Sequence, residues 1–435
     1  MLMNRKTSLV IAAAAALAIA GAAPEEQQNR STEKKTAKAD APPPVAGTDH
    51  ESWKGVPIDP AAAKGLKWLI RVQGADGGWG QDGGESTTVK PESAGSDVAN
   101  TSLACLAILH SGLAVKEGPY LQVLNRGVEF VLRSVEQIPA DGLAVTSRQG
   151  TQIQRKLGPH IDTFLSSLLL SELDDRIADK GGQKRVHVAL GKVIAKIEKH
   201  QSSDGSWNEG GGWAPVIGTS LASRSLYIAQ QKGNPVSVAC FSRVEMWTNS
   251  NFDPKSRTFK ADQAAGIELY VAAQALEQAN RGAGFNANFR KPVATGGGTS
   301  APGETKPAPE TPAPAPDLEK PAVPAEPAPA PGPAAQDNKT LMREVATEKL
   351  TGATFLDGFG SMGGEEYVSY LSISESLVRA GGKVWIGWNG RIKDRLAKLQ
   401  NSDGTWAGHH CITGRVACTS SAVMTLLAER GIPKP

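Results

Sequence analysis

The pattern Gln-x-x-Asp-Gly-x-Trp is written three times in this chain: QGADGGW at 73–79, QSSDGSW at 201–207 and QNSDGTW at 400–406. Each copy follows a helix-like run and precedes a glycine patch. One Asp-Gly is only a turn signal, but three copies with the same outer residues mark a repeated structural unit. The local physics explains the spelling. Glycine accepts the positive φ of a tight helix exit. The amides of Gln73, Gln201 and Gln400 suit the orphan carbonyls there, and Asp76, Asp204 and Asp403 belong to the turn. Trp79, Trp207 and Trp406 each offer the next hairpin an apolar face and one N–H for a backbone acceptor.

Around these turns the chain alternates helical patterns. Runs at 61–72, 123–135, 188–200, 236–248, 341–355 and 390–399 are answered by apolar, small-residue runs at 96–109, 160–170, 219–229, 266–276, 367–378 and 418–429. The second set is apolar on nearly every face and predicts inner, buried helices. The turns QIPADGL (137–143) and FLDGFGS are worn copies of the motif. Thr101, Thr163, Thr219 and Thr419 stand where they would cap the inner helices or face a central space. The result is six helical hairpins, none able to bury its own apolar side, so stacking is required.

A QxxDGxW turn followed by a Thr-led apolar helix resembles the repeat of terpenoid cyclases and protein prenyltransferase β subunits, the prenyltransferase / squalene–hopene cyclase repeat superfamily. The resemblance covers nearly all of 56–290 and 337–433. It implies an all-α fold, an (α/α)6 toroid with inner and outer rings around a central cavity, here as a divergent exported member. It specifies activity less, because the fold also serves complement-like thioester domains and some polysaccharide lyases.

The chemistry of those families is not spelled out here. Their class II cyclases protonate an alkene with the middle acid of Asp-x-Asp-Asp-Thr. The nearest stretch, DVANT at 97–101, keeps Asp97 and Thr101 but has Ala99 and Asn100 in place of the later acids. PHIDT at 159–163 keeps only Asp162 and Thr163. The zinc-binding Asp-x-Cys pair of prenyltransferases and the Gly-Cys-Gly-Glu-Gln thioester are absent, and Cys105 and Cys240 fit apolar helix patterns. No cofactor and no metal are expected, and an enzyme is the less favoured reading.

The loop GHHCITGRVACTS (408–420) gathers His409, His410, Cys411, Arg415 and Cys418. Its C-x6-C spacing matches no common zinc pattern, and adjacent histidines do not easily share one ion. A Cys411–Cys418 disulfide is favoured over a ligand role or free thiols, because export allows it. In a toroid the loops joining outer to inner helices lie at one end. That mouth would display Asp97, His160, Asp162, His409 and His410 as weak catalytic candidates. Glu209, Trp213, Glu365, Glu366 and Arg415 would join them, the last four as ligand-binding candidates. Ordinary loop polarity would produce much the same set.

The ends and the middle of the chain differ in kind. Residues 1–22 form a signal peptide: Arg5 and Lys6, an apolar run from Leu9 to Ala20, then Ala-x-Ala cleavage sites. This implies export to the periplasm or beyond, with an uncleaved membrane anchor as the alternative. No second apolar stretch is long enough for a transmembrane helix. Segments 23–55 and 291–336, polar and Pro/Ala-rich, read as disordered. The net charge of +3, with both signs mixed, gives no argument for nucleic acid or a membrane surface. The expected function is binding of a small molecule, lipid, glycan or protein at the toroid mouth. The enzyme alternatives are an isoprenoid-processing enzyme, which needs an aromatic-lined apolar cavity, and a polysaccharide lyase, which needs a basic one. A structural cell-envelope scaffold would instead have a filled or uncharged centre.

Overall fold

The computed structural model describes residues 58–81, 95–113, 119–174, 176–177, 179–208, 211–281, 333–358, 360, 362–412 and 414–431. The signal peptide, segment 23–55, the insertion up to residue 332 and Glu209 lie outside the described residues.

Outer-type amphipathic helices are α1 (Pro60–Arg71), α3 (Pro119–Gln137), α6 (Lys180–Lys199), α8 (Val238–Ser250), α10 (Pro333–Lys349) and α13 (Gly382–Leu399). Between them come the small-residue helices α2 (Val98–Ser111), α5 (Ile161–Leu173), α7 (Pro215–Gln231), α9 (Glu268–Asn280), α12 (Gly364–Ala380) and α14 (Arg415–Leu426). Short helices α4 (Gln152–Leu157), α11 (Ala353–Leu356) and α15 (Ala428–Gly431) complete the all-α fold. A two-residue β-hairpin, β1 (Phe252–Asp253) against β2 (Thr258–Phe259), replaces the motif turn of the fourth unit.

The small-residue helices are the buried set. Every residue of α5 and of α14 is buried, whereas α13 buries only Trp385, Trp388, Ile392 and Leu396. Their Ser, Thr and Ala side chains let backbones approach closely, which suits a helix packed on all sides. In sequence order α2, α5, α7, α9, α12 and α14 each pack against the next, and α14 packs back against α2. The first helix, α1, also packs on α14, so the two ends of the helical region share one core.

The three motif copies make the same bonds. Each Gln amide donates twice, to its own turn and to a neighbouring amphipathic helix. Gln73 reaches Gly77 and Val123 carbonyls (2.8 and 2.9 Å), Gln201 those of Gly205 and Cys240 (3.0 and 3.1 Å), and Gln400 those of Gly404 and Ala61 (2.9 and 2.8 Å). Each indole N–H donates ten residues back, to Leu69, Ile197 and Leu396. The threonines neither cap nor line a space here: Thr101 and Thr219 and Thr419 accept the backbone N–H of the motif tryptophans at 2.9, 3.1 and 3.1 Å. In the worn copy Leu143 replaces Trp, Thr163 still donates to its carbonyl, and the Lys196 ammonium bonds the turn carbonyls of Pro139 and Gly142 (2.7 and 2.8 Å).

The turn glycines Gly77, Gly205 and Gly404 sit at φ of 90°, 97° and 91°, against the backbone of a neighbouring amphipathic helix. A Cβ at Gly205 would collide with the Arg243 carbonyl, while one at Gly404 would meet the Lys64 Cβ at 2.8 Å. Gly205→Ala is therefore expected to cost about 2 kcal/mol or more in urea denaturation, and Gly404→Ala less.

Candidate functional site

The N-terminal ends of the buried helices carry buried acids. Helix N-termini expose unpaired N–H groups and the positive end of the helix dipole, which favours carboxylates there. Asp97 is the N-cap of α2 and accepts from Asn100 N at 2.7 Å and from its amide Nδ2 at 2.8 Å. Asp162, in the first turn of α5 and 1% exposed, turns onto the neighbouring helix instead. It accepts from Ala99 N at 3.0 Å and from Gln154 Nε2 of α4 at 2.7 Å. Its carboxylate thus bonds the backbone of the residue where DVANT lacks its middle acid. Burial, with the neighbouring Asp97 charge, pushes Asp162 up to about 7. Burial raises Asp97 too, against its Asn100 bonds and Arg148. His160, half-buried, precedes α5.

A second group forms where α12 begins. Glu366 accepts from Gly363 N (2.8 Å) and the Tyr270 hydroxyl (2.7 Å), and Glu365 from Ile412 N (3.3 Å). Both glutamates are fully buried. Burial, reinforced by Glu366, pushes Glu365 up to about 7. His410 pairs with Gly363 in a β-bridge, and Cys411 is held at φ 54°. Burial, then Glu365, raises the Cys411 thiol. Lys156 lowers the proton affinity of both groups and stacks 5.2 Å from the ring of Trp213, which is 40% exposed.

Cys411 and Cys418 are not joined in the disulfide expected from export. Helix α14 starts at Arg415, earlier than the apolar run suggests, so Cys418 is built into the helix interior. Its Sγ faces the Ile412 carbonyl at 3.6 Å, while Cys411 lies in the turn beside Glu365.

A third group lines a cleft of about 470 Å³ beside the last motif turn: Tyr367, Asn401, Ser402, Asp403, His409 and Arg415. The Arg415 side chain is buried and its Nη1 donates to Asp403 Oδ2 at 2.7 Å. Asp403 Oδ1 accepts from Thr405 N and Oγ1. Burial acts to raise Asp403, but the Thr405 and Arg415 contacts outweigh it and keep the carboxyl below its ordinary range. The sequence-predicted residues thus fall into three clusters: Asp97 with Asp162, Glu365 and Glu366 with Cys411, and His409 with Arg415.

Sequence reasoning missed the charges deeper among the buried helices. His110 bonds Glu172 at 2.8 Å, Arg224 pairs with Glu375, and Arg281 lies 3.6 Å from Glu277. Glu277 also accepts from Ser220 and Ser372, at 3.2 and 3.1 Å. Burial acts to raise Glu172, but His110 and Arg224 hold it below the usual carboxylate range. The signal was visible for Arg224 and Glu375, which interrupt runs of apolar and small residues in SLASRSL and SISES. Between α7, α9 and α12 lies a void of about 10 Å³, lined by Ser220, Tyr270, Gln274, Ser369 and Ser372 among others.

Among the described residues no group of three or more His, Cys, Asp or Glu side chains is arranged to hold a metal ion, and no helix is long and apolar enough to cross a membrane. No protein-family model, curated protein or solved structure matches the chain.

Proposed function

We propose that this chain is an exported ring of six helical hairpins, built on the prenyltransferase/squalene-cyclase type of repeat, that binds a ligand at the end carrying the motif turns. In this reading it does not transform an isoprenoid at its centre. The observation that carries it is the pair of buried ion pairs among α7, α9 and α12, Arg224 with Glu375 and Arg281 with Glu277, beside a void of about 10 Å³. A polyisoprene needs an apolar lining, whereas the buried Arg224–Glu375 and Arg281–Glu277 pairs present charged groups between these helices. The contact of α14 with both α2 and α1 supports the closed ring. The acids support the same conclusion. Asp162, raised to about 7 and bonded to Ala99 and Gln154, is a weak acid with its oxygens occupied, the opposite of what alkene protonation requires. Export, the second part of this reading, is supported by Arg5 and Lys6 ahead of the apolar run from Leu9 to Ala20. Incubation of the full chain with squalene and with farnesyl diphosphate tests the reading. Neither should be consumed in product analysis, and neither should raise the melting temperature. Turnover of either, or saturable stabilisation by either, would overturn it.

A further inference from the structure

The repeat supplies its own control for what the scaffold requires. Among the described residues, the aspartate carboxylates of the first two motif copies bond their own turn and the stretch of chain beside it. Asp76 Oδ1 accepts from Gly78 N and Ser96 Oγ, and Asp204 Oδ1 accepts from Ser206 N and Oγ. In the last copy Asp403 does this for Thr405 and also receives Arg415 from α14. Counted back from the clamp threonine, Arg415 stands four residues before Thr419, a place held by Asp97 before Thr101 and by Pro215 before Thr219. Two turns fold without such an arginine, so the hairpin does not need it. The same copy opens the cleft of about 470 Å³, within the usual size range of small-ligand sites, about 300–1,000 Å³.

We infer that this cleft binds a neutral polyhydroxylated ligand, a sugar unit of a glycan. This rests on the reading that the ligand site lies at the motif end. The charges choose the class. Arg415 is already neutralised by Asp403, and Asp403 is tethered by Thr405. An entering anion would have to displace that tethered carboxylate, and an entering cation would meet the guanidinium. A hydroxyl both donates and accepts, so it can add to the pair without breaking it: Asp403 accepts, while Arg415, Asn401 and His409 can donate. Leu399 and Ala407, both half-buried, give the cleft apolar surface for the C–H face of a sugar ring. Because Arg415 is buried and fixed by its partner, its donors are oriented before the ligand arrives, which reduces the ordering cost of binding.

The test is a glycan array spanning neutral, acidic and amino sugars, probed with the labelled full chain, followed by calorimetry with the soluble sugar of the strongest spot. Neutral sugars should bind, and Asn401→Ala and His409→Gln should each weaken binding about tenfold or more with the melting temperature nearly unchanged. Arg415→Gln should abolish binding, and its unfolding curve must remain cooperative for that loss to count. Binding confined to acidic or amino sugars, no binding to any spot, or binding indifferent to all three substitutions would overturn the inference. Failure of the sugar class leaves the motif-end reading standing, because that reading falls only to isoprenoid turnover or isoprenoid stabilisation.

Discussion

Trp406→Ala is expected to destabilise the protein by about 3–5 kcal/mol in chemical denaturation, the range for removing a large aromatic from a packed core. Trp406 is 0% exposed, and its indole N–H bonds the Leu396 carbonyl at 2.8 Å. Its ring rests on Gly65 of α1, where an added Cβ would come within 3.0 Å of it. Trp79 has the same relation to Gly127 of α3. The first contact differs from the second in what it joins: Gly65 and Trp406 come from opposite ends of the helical region, whereas Gly127 follows Trp79 in the next unit. Losing Trp406 should therefore loosen the packing of α1 on α14 as well as leave a cavity. Gln400, which bonds Ala61, reinforces the same junction. Trp213→Ala is the control, because that ring is 40% exposed and should cost less than about 1 kcal/mol. If Trp406→Ala were as mild as Trp213→Ala, the motif tryptophan would not be holding the two ends together.

The helices were legible because their two patterns are set by burial. A helix covered on all sides, such as α5, has no polar face to write, and one covered on a single side, such as α13, repeats apolar residues at helical spacing. The motif was legible because backbone bonds leave little freedom at Gln, Gly and Trp. Helix α4 was not: TQIQRKL carries one capping box, Thr151 with Gln154, and too few residues for a period. The candidate residues stand out one by one in the sequence, but their grouping depends on which neighbour each side chain reaches. Asp162 crosses to α2, and Arg415 turns back to Asp403. Spacing along one chain carries no information on either. The disulfide expectation failed for a related reason, since three residues' difference in the start of α14 turns Cys418 inward.

Between pH 5 and pH 8 the folded protein should lose stability as pH rises, and Asp162 should account for about 3 kcal/mol of the loss. The sign follows from the direction of the shift. Asp162 stands at about 7 in the folded chain against 3.8 for an unperturbed aspartate. Folding therefore favours its protonated form. That contribution is complete below pH 4, declines as pH climbs from 4 to 7, and is gone above the folded value. Glu365, also raised to about 7 by burial, acts in the same direction. Carboxylates held below their ordinary range, such as Glu172 and Asp403, act oppositely, but only as pH falls through values below 4 to 5. Over the window from 5 to 8 the raised carboxyls, Asp97, Asp162 and Glu365, act in one direction. Asp162→Asn removes one of these titrations. The variant should be less stable at pH 5, because an amide cannot accept from both Ala99 N and Gln154 Nε2 without one of them giving way. Its stability should nevertheless fall less steeply toward pH 8, so that the two denaturation curves converge or cross. Urea midpoints measured at intervals across the window decide the matter. A wild-type protein that gains stability over this range, or an Asp162→Asn variant with an unaltered slope, would show that the acid under α4 is ionised throughout, with its charge met by the N-terminus of α2.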